Sequence, residues 1–304
     1  MTYRVTHTTT YTYRSAVALC HNLVHLTPRH GPRQACLDSD LQVNPVPAVL
    51  KPQLDFFGNR ATYFTIEQPH DKLTVTAVSL TEVLPFTPPP LSETPSWESV
   101  RDHLQTDLSL RGLEARQFVF ESPYVKCHAE LAAYAAPSFP PGRPLLAAAL
   151  ELTERIHTDF RYDSKATTVH TPLHEVFRLR RGVCQDFAHL QIGCLRSLGL
   201  AARYVSGYLR TNTPPGQPRL RGADASHAWL SIYCLDFGWI DLDPTNNLIP
   251  LDSHILLAWG RDYDDVSPIK GVNLGGGRHS VRVAVDVLLS DDAERTWPPF
   301  TVDP

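Results

Sequence analysis

Ten of the chain's 26 prolines fall between residues 85 and 144, among them the run Pro88, Pro89 and Pro90. Proline fixes φ and lacks an N–H donor, so neither a sheet interior nor a long helix runs through such a stretch. The chain is thereby divided in two. Before the break, residues 2–84 read as β. Tyr3, Val5, Thr8, Thr10, Tyr11 and Tyr13 belong to a run of high strand propensity. Further apolar runs cover 17–26, 35–43, 50–57, 61–66 and 73–83, and Gly58-Asn59 marks a turn between two of them. Six short strands with turns between them predict a small sandwich or barrel. The proline-rich stretch reads as a linker with short helices, one of them over 130–134.

After the break the pattern turns helical. Leu145, Ala148, Ala149, Leu152 and Ile156 keep the 3.6-residue spacing of a helix with one buried face. A second helix is expected to begin at Thr171-Pro172. A third runs from Cys184 to Leu198, where Gly199 stops it. Strands are expected over 202–209, 228–234, 239–242 and 281–289. Helices followed by antiparallel strands make the class α+β. The expected organisation is a β-sandwich-like domain over 1–85, a linker over 86–144, a catalytic core over 145–290 and a tail over 291–304.

Composition sets the outer limits. At roughly 150 residues per domain, 304 residues suggest about two domains. Lys plus Arg is 28 against 32 for Asp plus Glu, and no basic run appears, so no nucleic-acid partner is expected. No apolar stretch reaches the ~18 residues of a membrane-spanning helix. Residues 1–7 lack the apolar core of a secretory leader. A cytoplasmic protein away from membranes is the expectation. The six cysteines contain no CxxC pair, which fits neither a zinc ribbon nor a disulfide scaffold.

The chemistry is concentrated in Arg181-Gly182-Val183-Cys184-Gln185-Asp186-Phe187-Ala188-His189. This segment puts a thiol in the first turn of an apolar helix. Unsatisfied N–H groups and the positive end of the helix dipole favour the thiolate there, which is the nucleophilic form. The N–H of Cys184 can also face an oxyanion. A second segment starts a strand at His227, and after Asp236-Phe237-Gly238 the chain returns through Asp241 and Asp243. Direct pairing of His227 with Asp243 puts the mirror point at residue 235, beside that turn. Asp241 reaches the same face, because side chains alternate along a strand. Spacing alone leaves both carboxylates open as the partner that would orient the imidazole toward a thiol.

Helix-start Cys, strand-start His and strand-end Asp-Pro-Thr, in that order, resemble the transglutaminase-like branch of papain-fold enzymes. The GVCQDFAH, SHAW and DPTNN segments resemble the bacterial transglutaminase-like family closely, and residues 197–208, 260–271 and 1–84 are similar to further parts of it. The resemblance implies a Cys184–His227–Asp243 triad and so selects Asp243 over Asp241. It implies a thiol enzyme that cleaves a peptide or isopeptide amide through a thioester. The alternatives are acyl transfer to a primary amine, as in a transglutaminase, and a non-catalytic peptide-binding scaffold. A peptide or protein amide is the expected substrate, and the β domain is the expected place for a partner protein.

Other residues complete the candidate site. Gln185 and Asp186 flank the nucleophile and would shape the substrate cleft. Trp229 shares a strand face with His227 and would cover the imidazole or wall the cleft. Tyr162 would give a second hydrogen bond to the oxyanion, and Asp262 would bind a cationic substrate group. His189 lies about 140° around the helix from Cys184, which suits a core hydrogen-bonder better than a base. No cofactor or metal is expected. His174 lacks the second histidine of HExxH, the loop at Asp262 lacks the spacing of a calcium loop, and no GxSxG elbow is present.

Overall fold

The computed structural model describes residues 1–210 and 225–290; the expected tail over 291–304 lies outside the described residues. The N-terminal sheet is built on one long strand, β1 (Thr2–Val24). Tyr3, Val5, His7 and Thr9 alternate inward and the residues between them face out, which is the signature of a strand with one covered face. Sequence reading divides this strand into two runs. They are one strand, whose pairing with β5 shifts between Thr12 and Val17.

The strands β2 (Gln34–Asn44), β3 (Val49–Leu54), β4 (Arg60–Ile66) and β5 (His70–Val83) follow, all antiparallel. The first half of β1 pairs with β5, and its second half pairs with β4. The Gly58-Asn59 turn forms as expected, with Gly58 at φ 71° and its N–H on the Asp55 carbonyl.

The proline-rich stretch carries α1 (Trp97–Thr106), α2 (Leu110–Arg116) and α3 (Ala129–Ala135). It is packed rather than a free tether: Val100, Leu104, Phe118 and Leu131 are buried in the common core. The prolines lie largely outside the helices, where their fixed φ costs no hydrogen bond. Next come α4 (Leu145–Asp159), β6 (Arg161–Tyr162), α5 (Leu173–Leu179), β7 (Arg181–Gly182) and α6 (Cys184–Ser197). The helix α6 is buried on nearly every side from Asp186 to Arg196. A helix apolar all round belongs at the centre of a domain. It packs on α3 and on the sheet strands β8 (Ala202–Leu209) and β9 (Ala225–Tyr233). Gln191 ties it to α4 through the Ala149 carbonyl and the Thr153 hydroxyl. Full burial of Phe187, Leu190, Ile192 and Leu195 contributes roughly 1.5–3 kcal/mol each.

The core sheet runs β10–β9–β8–β11, with β10 (Trp239–Leu242) and β11 (His254–Gly260) on its edges. A short α7 (Tyr263–Val266) then leads to β12 (Ile269–Gly275) and β13 (His279–Leu289). Those last two strands leave the core sheet and pair with β1, which makes the N-terminal sheet seven-stranded. The strands β11 and β12 are absent from the sequence reading. The chain is thus a mixed α and β protein with an N-terminal antiparallel sheet and a helix-plus-sheet core. No helix among the described residues is long and apolar enough to cross a membrane.

Polar ties hold the two parts together. The Gln34 amide bonds the Leu256 backbone through both its N–H and its oxygen. Asn59 does the same at Trp259. The turn that the sequence marks is therefore a docking device for β11.

Candidate active site

Three elements converge on the site. The helix α6 presents Cys184 in its first turn, β9 carries His227 near its start, and Asp243 follows directly on the last residue of β10. The carboxylate of Asp186 accepts from the Val183 N–H at 2.8 Å and from the Thr167 hydroxyl at 2.6 Å. It thereby caps the helix that carries the thiol. Gly182 is required at its position, since a Cβ there would come within 2.5 Å of the Asp186 carboxylate.

The β9–β10 register centres on residue 236, one beyond the mirror point that direct pairing of His227 with Asp243 needs. Asp241 stands opposite Ser231, accepts its hydroxyl and pairs with Arg33 at 3.4 Å. Asp243 lies past the strand end, in a turn closed by mutual backbone bonds with Leu248. From there its Oδ2 accepts from His227 Nε2 at 2.7 Å.

Asp243 is fully buried and accepts four further hydrogen bonds. Oδ1 takes the backbone N–H groups of Thr245 and Asn246, and Oδ2 takes the Asn246 amide at 2.7 Å and His254 Nε2 at 3.0 Å. Burial alone would raise its pKa. The bonds from His227 and His254, the His227 charge and the Asn246 amide outweigh that and hold the carboxyl well below the usual carboxylate range. Burial would likewise lower His227. Its hydrogen bonds to Asp243 and to the Cys184 sulfur, with the charges of both, instead raise it to about 10. With Nε2 committed to Asp243, the Nδ1 side of the ring is left for the thiol.

The other sequence candidates divide. Trp229 is buried and nearly parallel to the His227 ring, with centroids 6.0 Å apart, so it backs the imidazole. Gly207 makes room for it, because a Cβ there would lie 2.4 Å from the indole. Tyr162 is 55% exposed beside Gly182, near enough to Cys184 that the thiol's charge helps raise its pKa, after burial. Gln185 bonds the Val169 carbonyl.

Asp186 and Asp262 are not in a substrate cleft. Asp186 is the helix cap, and Asp262 is fully buried, accepting the N–H groups of Tyr124 and Asp264. An aspartate that starts a helix gains more from orphan N–H groups than from facing solvent. His189 is buried, accepts the Tyr263 N–H, and is pushed down to about 3 by burial and then by the Arg196 charge. It is a neutral core hydrogen-bonder, as its place on the helix suggests.

Sequence reasoning misses His254 and Asn246. Asn246 stands inside the DPTNN segment, so the signal was present. His254 opens a strand that the sequence does not announce. His227, Asp243 and His254 offer three buried ligand atoms within 4.8 Å of one another, the grouping among the described residues that could hold a metal ion. Their 2.7 and 3.0 Å separations are those of hydrogen bonds to one shared oxygen.

The chain as a whole is similar to known proteins. Residues 3–82 match the family described as the bacterial transglutaminase-like N-terminal region, and residues 133–244 match the transglutaminase-like superfamily. An uncharacterized protein of Mycobacterium tuberculosis is 42% identical over 294 residues, covering 94% of this chain and 92% of that one. Over 97 residues, 31% of this chain and 14% of the other, it is 32% identical to a protein-glutamine gamma-glutamyltransferase of Pseudomonas aeruginosa. The crystal structure of a candidate cysteine protease from Cytophaga hutchinsonii shares the fold, with a TM-score of 0.74 at 22% identity over 100% of this chain and 94% of that one.

Proposed function

Because this chain belongs to the transglutaminase-like superfamily, with the bacterial N-terminal region ahead of the core, we propose that it is a thiol hydrolase of peptide or isopeptide amides. The observation that carries this reading is the hydrogen-bonded line from Asp243 through His227 to Cys184 at the first turn of α6. A scaffold has no use for a buried carboxylate, a charged imidazole and a thiol in that order.

The Cys184 sulfur attacks the amide carbonyl carbon, and the negative charge moves to the carbonyl oxygen, where N–H groups at the start of α6 face it. His227 gives its proton to the departing amine as the C–N bond breaks, leaving a thioester. Water then attacks the thioester while His227 takes its proton. The acid departs and the sulfur and imidazolium are restored. Asp243 holds the ring and its charge throughout. The half-buried Cys184 beside the exposed Tyr162 leaves the thioester open to water. In a reducing cytoplasm, the compartment this reading favours, the six free thiols stay reduced.

Acyl transfer is the second reading, supported by the partial likeness to the gamma-glutamyltransferase. Product analysis with and without an added primary amine separates the two. Free acid in both arms is expected, and amine mass on the acyl product would establish transfer instead. A Cys184→Ala variant that kept full cellular function would return the chain to the scaffold class.

A further inference from the structure

Behind the triad lies a cleft of about 980 Å³, and Cys184 and His227 are not among its walls. The core strands β8 to β11 form one side, and the loop between β1 and β2 forms the other. Three N–H donors on residues of this lining have no acceptor among the described residues and no access to solvent: Arg203 Nε, Arg29 Nε and Trp229 Nε1. None of the unpartnered buried acceptor oxygens belongs to the lining. Glu114 and Asp241 bring two carboxylates to the lining against the four guanidinium groups of Arg29, Arg33, Arg111 and Arg203, and that excess of cations suits a ligand that brings acceptors.

Charge points the same way. Arg203 is 8% exposed, with its guanidinium 4.2 Å from the Trp239 ring centre and 3.7 Å from that of Trp259. Arg29 lies over the same Trp259 at 3.5 Å. No described residue accepts a hydrogen bond from Arg203. Asp241 attracts it, but the Asp241 oxygens are already taken by Ser231 and Arg33. A buried guanidinium is ordinarily met by a carboxylate or a row of carbonyls. Here two indole rings lie close to it instead, and Arg203 lines an open volume.

We propose that this cleft binds a small organic anion, a carboxylate or phosphate on a flat apolar body, with the Arg203 guanidinium as its anchor. The indole and phenyl walls take the body, and Arg29 adds a second positive charge. The site does not depend on the catalytic reading, since its anchor neither attacks nor protonates substrate. It is nonetheless next to the triad, because Trp229 stacks beside His227 and His254 bonds Asp243.

The test is calorimetric titration of the full chain with benzoate, phenyl phosphate and benzylamine, followed in parallel by tryptophan fluorescence. At least one of the two anions should bind and benzylamine should not, and the stronger anion distinguishes a carboxylate from a phosphate ligand. Arg203→Leu should weaken that anion by roughly tenfold to a hundredfold, as loss of a charge-assisted hydrogen bond does. Arg203→Leu should also melt no lower than wild type without ligand. Arg29→Gln, which keeps a polar side chain and loses the charge, serves as the second variant and should weaken binding as well. Failure of both anions to bind, equal binding by benzylamine, or unchanged affinity in both variants would overturn the proposal.

Discussion

Replacing Asp243 by asparagine removes one charge and keeps the shape. His227 rises from about 6.5 to about 10 despite its burial, a net gain of about 5 kcal/mol for the charged ring. Asp243 supplies the largest favourable part through the 2.7 Å bond and its charge. An amide supplies neither the charge nor a second acceptor, and its NH₂ would meet donors from His227, His254 or Asn246. Burial then dominates, so the His227 titration should fall to neutral pH or below. Histidine-selective NMR across pH 5–11 reads this directly, with His227→Gln used to assign the signal. Amide turnover should fall about 10³- to 10⁴-fold, as expected when a triad carboxylate is lost and the ring loses its orientation. If the His227 signal in Asp243→Asn still titrated near 10, the carboxylate would not be what holds the charge and the reasoning would fail.

Other outcomes follow from the same contacts. Because His227 is raised in the folded state, its stabilisation is complete below about pH 6.5 and is lost as pH rises through about 10. The stability difference between wild type and His227→Gln, from urea unfolding, should therefore shrink between pH 7 and 10. Asp243 is depressed instead, so its contribution is present above about pH 4 and is lost as pH falls below that; Asp243→Asn should flatten the acid limb of the melting curve. Gly207→Ala puts a Cβ 2.2 Å from the Ile255 carbonyl and 2.4 Å from Trp229. It should cost roughly 1–3 kcal/mol or more in denaturant unfolding and displace the indole from His227. Gly182→Ala should dislodge the Asp186 cap, lowering both the melting temperature and the alkylation rate of Cys184.

Local pattern made much of this molecule legible. The helical face from Leu145 to Ile156, the start of α6 at Cys184 and the bounds of β8 and β10 all follow from periodicity and punctuation. Cys184 and His227 could be singled out because each stands near an element end that the sequence marks, whereas spacing left Asp241 beside Asp243 and only the family resemblance chose between them. What stayed hidden was long-range. The pairing of β12 and β13 with β1 joins residues more than 240 positions apart, and no local signal encodes it. Asp186 and Asp262 read as substrate-facing groups, yet each folds back onto orphan N–H groups at a helix start. His254 reaches Asp243 because β11 pairs with β8 at the far edge of the sheet, a register invisible in the linear chain. The loose cation Arg203 depends in the same way on Trp239 and Trp259, which arrive from two different strands.

The central claim is that Cys184 is the nucleophile because His227 serves it. Burial raises the pKa of each of the other five thiols, with Cys194 and Cys234 pushed up to about 12. Cys184 alone has an imidazolium partner. Iodoacetamide alkylation of the native protein at pH 7, followed cysteine by cysteine with mass spectrometry, tests this without any substrate. The account predicts that Cys184 reacts first and that His227→Ala slows it toward the rate of an ordinary thiol. Alkylation of Cys36 or Cys127 ahead of Cys184, or a Cys184 rate untouched by His227→Ala, would contradict it.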